Sequence, residues 1–283
     1  MNIIQNSNGT FYGCSFGNNL IINNGRIVNG NPAKSKRFDE AKSEEAKNVE
    51  KITIISTFCD VDVSVSSSSS SKIEAHLHGE AILDGNVTLD FSLSNSELKI
   101  EVKSTANCFS GKLSLDISIP QKTFDVLCIK STSADITLNK GVSVDCLKVN
   151  TTSGELETYA DFNSCLISTI SGYVFLSSNP SRNTNVNIST ISGDIDFLVN
   201  TYQNINVNIS TTSGYVHFLV TKPKKLNAKI STTSGIVSAA FGIRNVDVST
   251  STVTGKVDNW YNVTGHYSNV VDISTISGSI TIH

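Results

Sequence analysis

The chain has 283 residues, only 17% of them charged, and a formal net charge of −3. A typical soluble protein carries about 25% charged residues; here Ser, Thr and Asn fill the difference. That balance excludes a basic stripe for nucleic acid, and no segment approaches the roughly 18 apolar residues of a membrane-spanning helix.

In chain order, the first segment is residues 1–31. Met1 to Thr10 is rich in Asn and lacks the basic start and apolar core of a secretory signal, so a cytoplasmic location, or exit by another route, is expected. Leu20-Ile21-Ile22 and Arg26-Ile27-Val28 flank Asn23-Asn24-Gly25, which predicts a β-hairpin. Residues 32–50 carry Lys36, Arg37, Asp39, Glu40 and Lys42 and read as a charged linker or a short exposed helix. Residues 51–125 alternate polar and apolar, as in Lys112-Leu113-Ser114-Leu115-Asp116-Ile117, and predict irregular coils with an elaborated hairpin. The serine run Ser66 to Ser71 predicts a loop tip.

Residues 126–283 repeat. Ser-Thr-x-Ser-Gly occurs five times unchanged, beginning at Ser168, Ser189, Ser210, Ser231 and Ser274. Variants stand at Asn150 to Gly154 and Ser251 to Gly255, and degenerate copies at Ser131 to Ala134 and Ser56 to Cys59. The glycines fall at Gly154, Gly172, Gly193, Gly214, Gly235, Gly255 and Gly278, in steps of 18, 21, 21, 21, 20 and 23. Before each motif runs an alternation such as Asn185-Val186-Asn187-Ile188, and after it a second one, with Ile195, Phe197 and Val199 matching Val216, Phe218 and Val220. Period two marks strands with one buried face. The motif between them is a corner: Gly permits a positive φ or a close backbone approach, and Ser and Thr hydroxyls hold the bend.

Such a unit cannot bury its apolar face alone, so copies must stack. The predicted fold is all-β, a parallel β-solenoid with coils of about 20–21 residues. Ile167, Ile188, Ile209 and Ile230 should form an inner column, Thr169, Thr190, Thr211 and Thr232 a hydroxyl ladder, and Ser189, Ser210 and Ser231 should face outward. The run Gly13 to Ile27, followed by repeats reading Ile188-Ser189-Thr190-Ile191-Ser192-Gly193-Asp194-Ile195, resembles the bacterial adhesin-like β-repeat domains of unknown function. The resemblance covers the chain from about Val49 onward and implies an adhesive role and a cell-surface setting.

No catalytic residue or cofactor is indicated. The position after each glycine holds Glu155, Tyr173, Asp194, Tyr215, Ile236, Lys256 and Ser279, which offers no carboxylate pair. His76 and His78 lie two apart without an evident third metal ligand and read as solvated side chains. None of the six cysteines forms a C-x-x-C pair; Cys128, Cys146 and Cys165 read as small core side chains, which suits a reducing compartment. Trp260, Tyr261, His266 and Tyr267 are the candidate contacts for a protein or glycan partner, or else a cap over the solenoid end. The last strand, Ser279 to His283, reads as an open edge that would pair with another copy. The expected function is a non-enzymatic binding module, with self-assembly through the ends or binding to a glycan surface as alternatives.

Overall fold

In a computed structural model the chain is described over residues 3–6, 9–12, 21–23, 26–29, 35–66, 70–83, 85–106, 109–243, 245–260 and 267–283. The main body is a flattened solenoid built from an 11-stranded and a 12-stranded sheet, called here the first and second sheets. A typical coil gives Thr184–Ser189 to the first sheet, turns at the Thr190 to Gly193 corner, and gives Ile195–Asn200 to the second. Successive coils pair in parallel, so that Ile167, Ile188, Ile209 and Ile230 align. Phe197 aligns with Phe218, and their rings stack with centroids 5.1 Å apart. At about 4.8 Å per rung the stack is roughly 50 Å long.

The corner explains the motif. The Oγ1 atoms of Thr190, Thr232 and Thr275 each accept the N–H of the glycine three residues on, at 2.9–3.0 Å. Ser56 does the same for Cys59 and Ser131 for Ala134, so the degenerate upstream copies are true corners. The Thr column is therefore not a ladder of hydroxyls bonded to each other. The hydroxyls of Thr190, Thr232 and Thr275 each close their own turn and satisfy a buried donor, whereas those of Thr169 and Thr211 are buried without a partner. The glycines answer to close approach. A Cβ on Gly193 would overlap the carbonyl oxygen of Gly172, and a Cβ on Gly235 that of Gly214.

Stacking order departs from chain order at both ends. The coil of Asn269–Thr275 and Ile280–Ile282 lies between the coil 225–241 and the coil 246–259. Gly278 accordingly faces the carbonyl of Gly235, and Gly255 faces that of Gly278. The C-terminal strand is thus interior, paired with Ile236–Phe241 on one side and Val257–Asn259 on the other, and is not the open edge expected from sequence. At the other end the coil 51–65 lies between 97–119 and 123–138.

The charged segment is neither linker nor α-helix. Lys36–Glu45 is an edge strand, antiparallel to Lys72–Leu83, followed by a 3-10 turn at Ala46–Asn48. Its alternate residues point inward, where Glu40 accepts the N–H of Leu89 and Lys42 donates to the carbonyl of Leu89. Leu89 belongs to Val87–Ser94, the edge strand of the first sheet. Inward charges are a known way to close a sheet edge, and here they tie the two sheets together at one end of the stack.

The hairpin expected in the first segment is present as Ile21–Asn23 paired with Arg26–Asn29; its turn, residues 24–25, lies outside the described residues. A second pair, Ile3–Asn6 with Gly9–Tyr12, was not anticipated. Of the cysteines expected in the core, Cys165 is buried, as is Cys59, whose thiol burial pushes up to about 12. Cys128 and Cys146 are only half-buried, because Cys128 aligns with outward Lys148 and Cys146 with Ser164. Cys14 and Cys108 lie outside the described residues.

Candidate binding wall

Strands buried on one face must present the other. In Val174–Ser178, Val174 and Leu176 are buried, so Phe175 points outward. The parallel register then carries Phe175 into a column with Glu157, Asp196, His217 and Ser238. The next outward column holds Ser177, Leu198, Leu219 and Ala240. Trp260 extends this column at the far end: its backbone N–H donates to the carbonyl of Ile282, and its ring meets the edge of His283 at 5.8 Å. Tyr173 and Tyr215 stand on the corner side.

This outer wall of the second sheet is aromatic and acidic. Phe175 lies between two tyrosines, with ring centroids 5.6 Å from Tyr159 and 6.4 Å from Tyr173. The Tyr173 hydroxyl donates to Asp196, whose other oxygen is 3.6 Å from His217 Nδ1. Burial, and the Asp196 carboxylate, hold the Tyr173 phenol above its ordinary range, so it remains a donor. Tyr215 is 40% exposed and Trp260 71%. Asp194 has a local task as well: it accepts the N–H of Tyr215 at 2.7 Å, as Asp135 accepts that of Glu155 at 2.9 Å.

The outer wall of the first sheet is different. Ser168, Ser189, Ser210, Ser231, Ser274 and Ser251 form one column in stacking order. Beside it run Asn187 and Asn208, then Asn185, Asn206 and Asn227, with the Asn206 amide donating to Asn185 at 2.8 Å. The expected outward serines are confirmed, but among the described residues the face has no aromatic platform.

The sequence candidates separate accordingly. Trp260 is on the second wall and does not lie over the core as a cap. Tyr267 sits where the chain re-enters the first sheet, just before Asn269–Thr275. Tyr261 and His266 lie outside the described residues. His76 and His78 project at the N-terminal end of the second wall, where their Nε2 atoms meet Asp39 at 2.7 Å and Asp116 at 2.9 Å. Among the described residues no group of three or more His, Cys, Asp or Glu side chains is placed to hold a metal ion, and no helix is long and apolar enough to cross a membrane. The wall was missed because its column after the glycine was read alone. Three alternate positions per coil, read together, bring the aromatics into view.

The sequence profile of the family described as Toastrack DUF4097 matches residues 47–283. No curated protein matches the chain. Among solved structures, a candidate adhesin of Bacteroides fragilis covers 87% of this chain and 97% of its own at 11% identity and a TM-score of 0.55, and so shares the fold. Candidate adhesins of Parabacteroides merdae and Parabacteroides distasonis also align. The first has 15% identity, coverage of 87% and 96%, and a TM-score of 0.46. The second has 13% identity, coverage of 89% and 98%, and a TM-score of 0.46.

Proposed function

The chain belongs to the Toastrack DUF4097 family, and we propose that it is a non-enzymatic, adhesin-like binding module that holds its partner on the outer wall of the second sheet. The observation that carries this reading is the exposure of Tyr215 and Trp260 on a wall of paired strands that also bears the Tyr159, Phe175 and Tyr173 platform. Aromatic side chains offer a large contact area at low entropic cost, and rigid strands hold them in place before a partner arrives. The name of the similar Bacteroides fragilis structure agrees with an adhesive role, which would need this wall to face outside the cell.

The test is a capture panel. Immobilised matrix proteins and polysaccharides are offered to the wild-type protein and to Phe175→Ala/Trp260→Ala. The reading expects each ligand captured by the wild type to be lost from the double variant. Trp260→Ala alone should leave stability within about 0.5 kcal/mol, since the side chain is mostly exposed. Capture that survives the double substitution unchanged would remove the wall from consideration.

A further inference from the structure

Aromatic side chains stand at the middle of the second wall and at its C-terminal end, and the span between them is not empty. From the Tyr159–Phe175 pair to Trp260 the wall crosses six rung intervals, roughly 29 Å. Leu198, Leu219 and Ala240 form a half-buried apolar strip along that path. Carboxylates line it on the corner side. Glu155, Glu157, Asp194 and Asp196 fall in its first coils, and the cation nearest the far end, Lys256, already pairs with Asp258 at 3.8 Å.

We propose that this wall binds a pyranose polysaccharide that carries no acidic groups, neutral or amino-bearing, laid along the stack axis. The proposal rests on the binding-wall reading and names its ligand class. Three features select that class. The surface is the outer face of one continuous sheet, and its strands between Val174–Ser178 and Ile280–Ile282 are paired on both sides. Peptides are usually held at a free sheet edge or in a groove; these doubly paired strands present no free edge, which the wall reaches beyond them at Val257–Asn259. A ribbon of sugar rings needs only a flat support. Its C–H faces pack on the rings of Phe175, Tyr215 and Trp260, as apolar groups pack on aromatic faces elsewhere. Its hydroxyls find acceptors in Glu157 and Asp194 and a donor in the indole N–H, which in the free protein turns back to Asp258 at 3.1 Å. The carboxylates set the charge of the ligand, because a uronate or sulfated chain would bring like charges together at short range.

The test is electrophoresis of the intact chain through gels containing hydroxyethylcellulose, glycol chitosan or alginate. Retardation is expected in the first, the second, or both, and not in alginate. Phe175→Ala/Trp260→Ala should weaken it about tenfold, the loss of two ring contacts of roughly 0.7 kcal/mol each. Asn187→Ala/Asn208→Ala, on the opposite wall, should leave it unchanged and serves as the folding and specificity control. Retardation by alginate alone overturns the proposal. So does migration unaffected by all three polymers; if the double variant then still loses a captured protein ligand, the binding wall stands and only the ligand class fails. Retardation lost in the asparagine variant and kept in the wall variant overturns both.

Discussion

The Ser/Thr/Gly corner and the outer wall of the second sheet run side by side along the same stack, with the same rung spacing, and they behave oppositely. At the corner each rung repeats its neighbour: a buried Thr, an exposed residue, a Ser, a Gly. On the wall the Phe175 position reads Glu157, Phe175, Asp196, His217 and Ser238 in successive coils. A position fixed by backbone packing has one solution and is reused. A position facing solvent is free to differ, and here it differs by becoming aromatic and acidic in a local cluster. Repetition therefore marks what holds the coils together, and departure from it marks where to look for a partner.

The strongest way to break this contrast is at the glycines. Gly235→Ala puts a methyl against the carbonyl of Gly214, which is backbone and cannot turn aside. The coils must separate locally, at a cost of about 3 kcal/mol, read as a lowered urea midpoint. The same measurement on Trp260→Ala should show little change. If both substitutions cost the same, the distinction between packed corner and free wall is wrong.

A sharper contrast lies within the corner itself. Thr232 Oγ1 accepts the buried N–H of Gly235, so Thr232→Val leaves that donor without a partner and should cost about 1–3 kcal/mol. Thr211 occupies the equivalent position one coil earlier, yet its buried Oγ1 has no hydrogen-bond partner, and the same is true of Thr169. Thr211→Val removes an unsatisfied polar atom while keeping the shape, and should be neutral or stabilising. Paired denaturation curves decide it. Equal losses at Thr232 and Thr211 would mean that the Thr211 hydroxyl is also bonded in solution, and no loss at either would mean that shape, and not the hydrogen bond, makes the residue recur.

Much of this was legible before any coordinates, for reasons that name the limits. The inner Ile column and the matched Phe197 and Phe218 follow from period two, because a one-residue slip would turn every apolar side chain to solvent. Even the weak corners at Ser56 and Ser131 were readable, since one hydroxyl and a four-residue spacing suffice. The stacking order of the last coils was not. Coils 225–241, 246–259 and 269–282 share one pattern, and nothing in that pattern says which pairs with which. Trp260 therefore reads as a loop residue near a chain end, although in space it completes a wall begun at Phe175. The edge strand 36–45 was hidden for another reason. Its inward positions run Phe38, Glu40, Lys42 and Glu44, and the three charged ones score as loop in a hydrophobic pattern, although Glu40 and Lys42 find partners in the backbone groups of Leu89.

The smallest expected effect is at the N-terminal end of the wall, where Asp39 on the edge strand meets His76. The hydrogen bond from His76, with the nearby charge of that ring, of Arg37 and of His78, holds the Asp39 carboxyl below its ordinary value of 3.8. A carboxyl lowered on folding favours the folded state above its unfolded pKa, and that contribution fades as pH falls through the lowered folded value. Asp39→Asn should therefore be slightly less stable than wild type from neutral pH down to about pH 4, and the two curves should converge below it. Because the pair is exposed, the gap should be small and should shrink in salt. Amide exchange along 36–45 gives the local readout. Faster exchange in the variant at neutral pH, with the rest of the stack unchanged, would place the effect at the edge strand. A gap that stays fully open well below pH 4 would mean that loss of the Asp39 carboxylate charge is not what separates the two proteins, and would sink this reading.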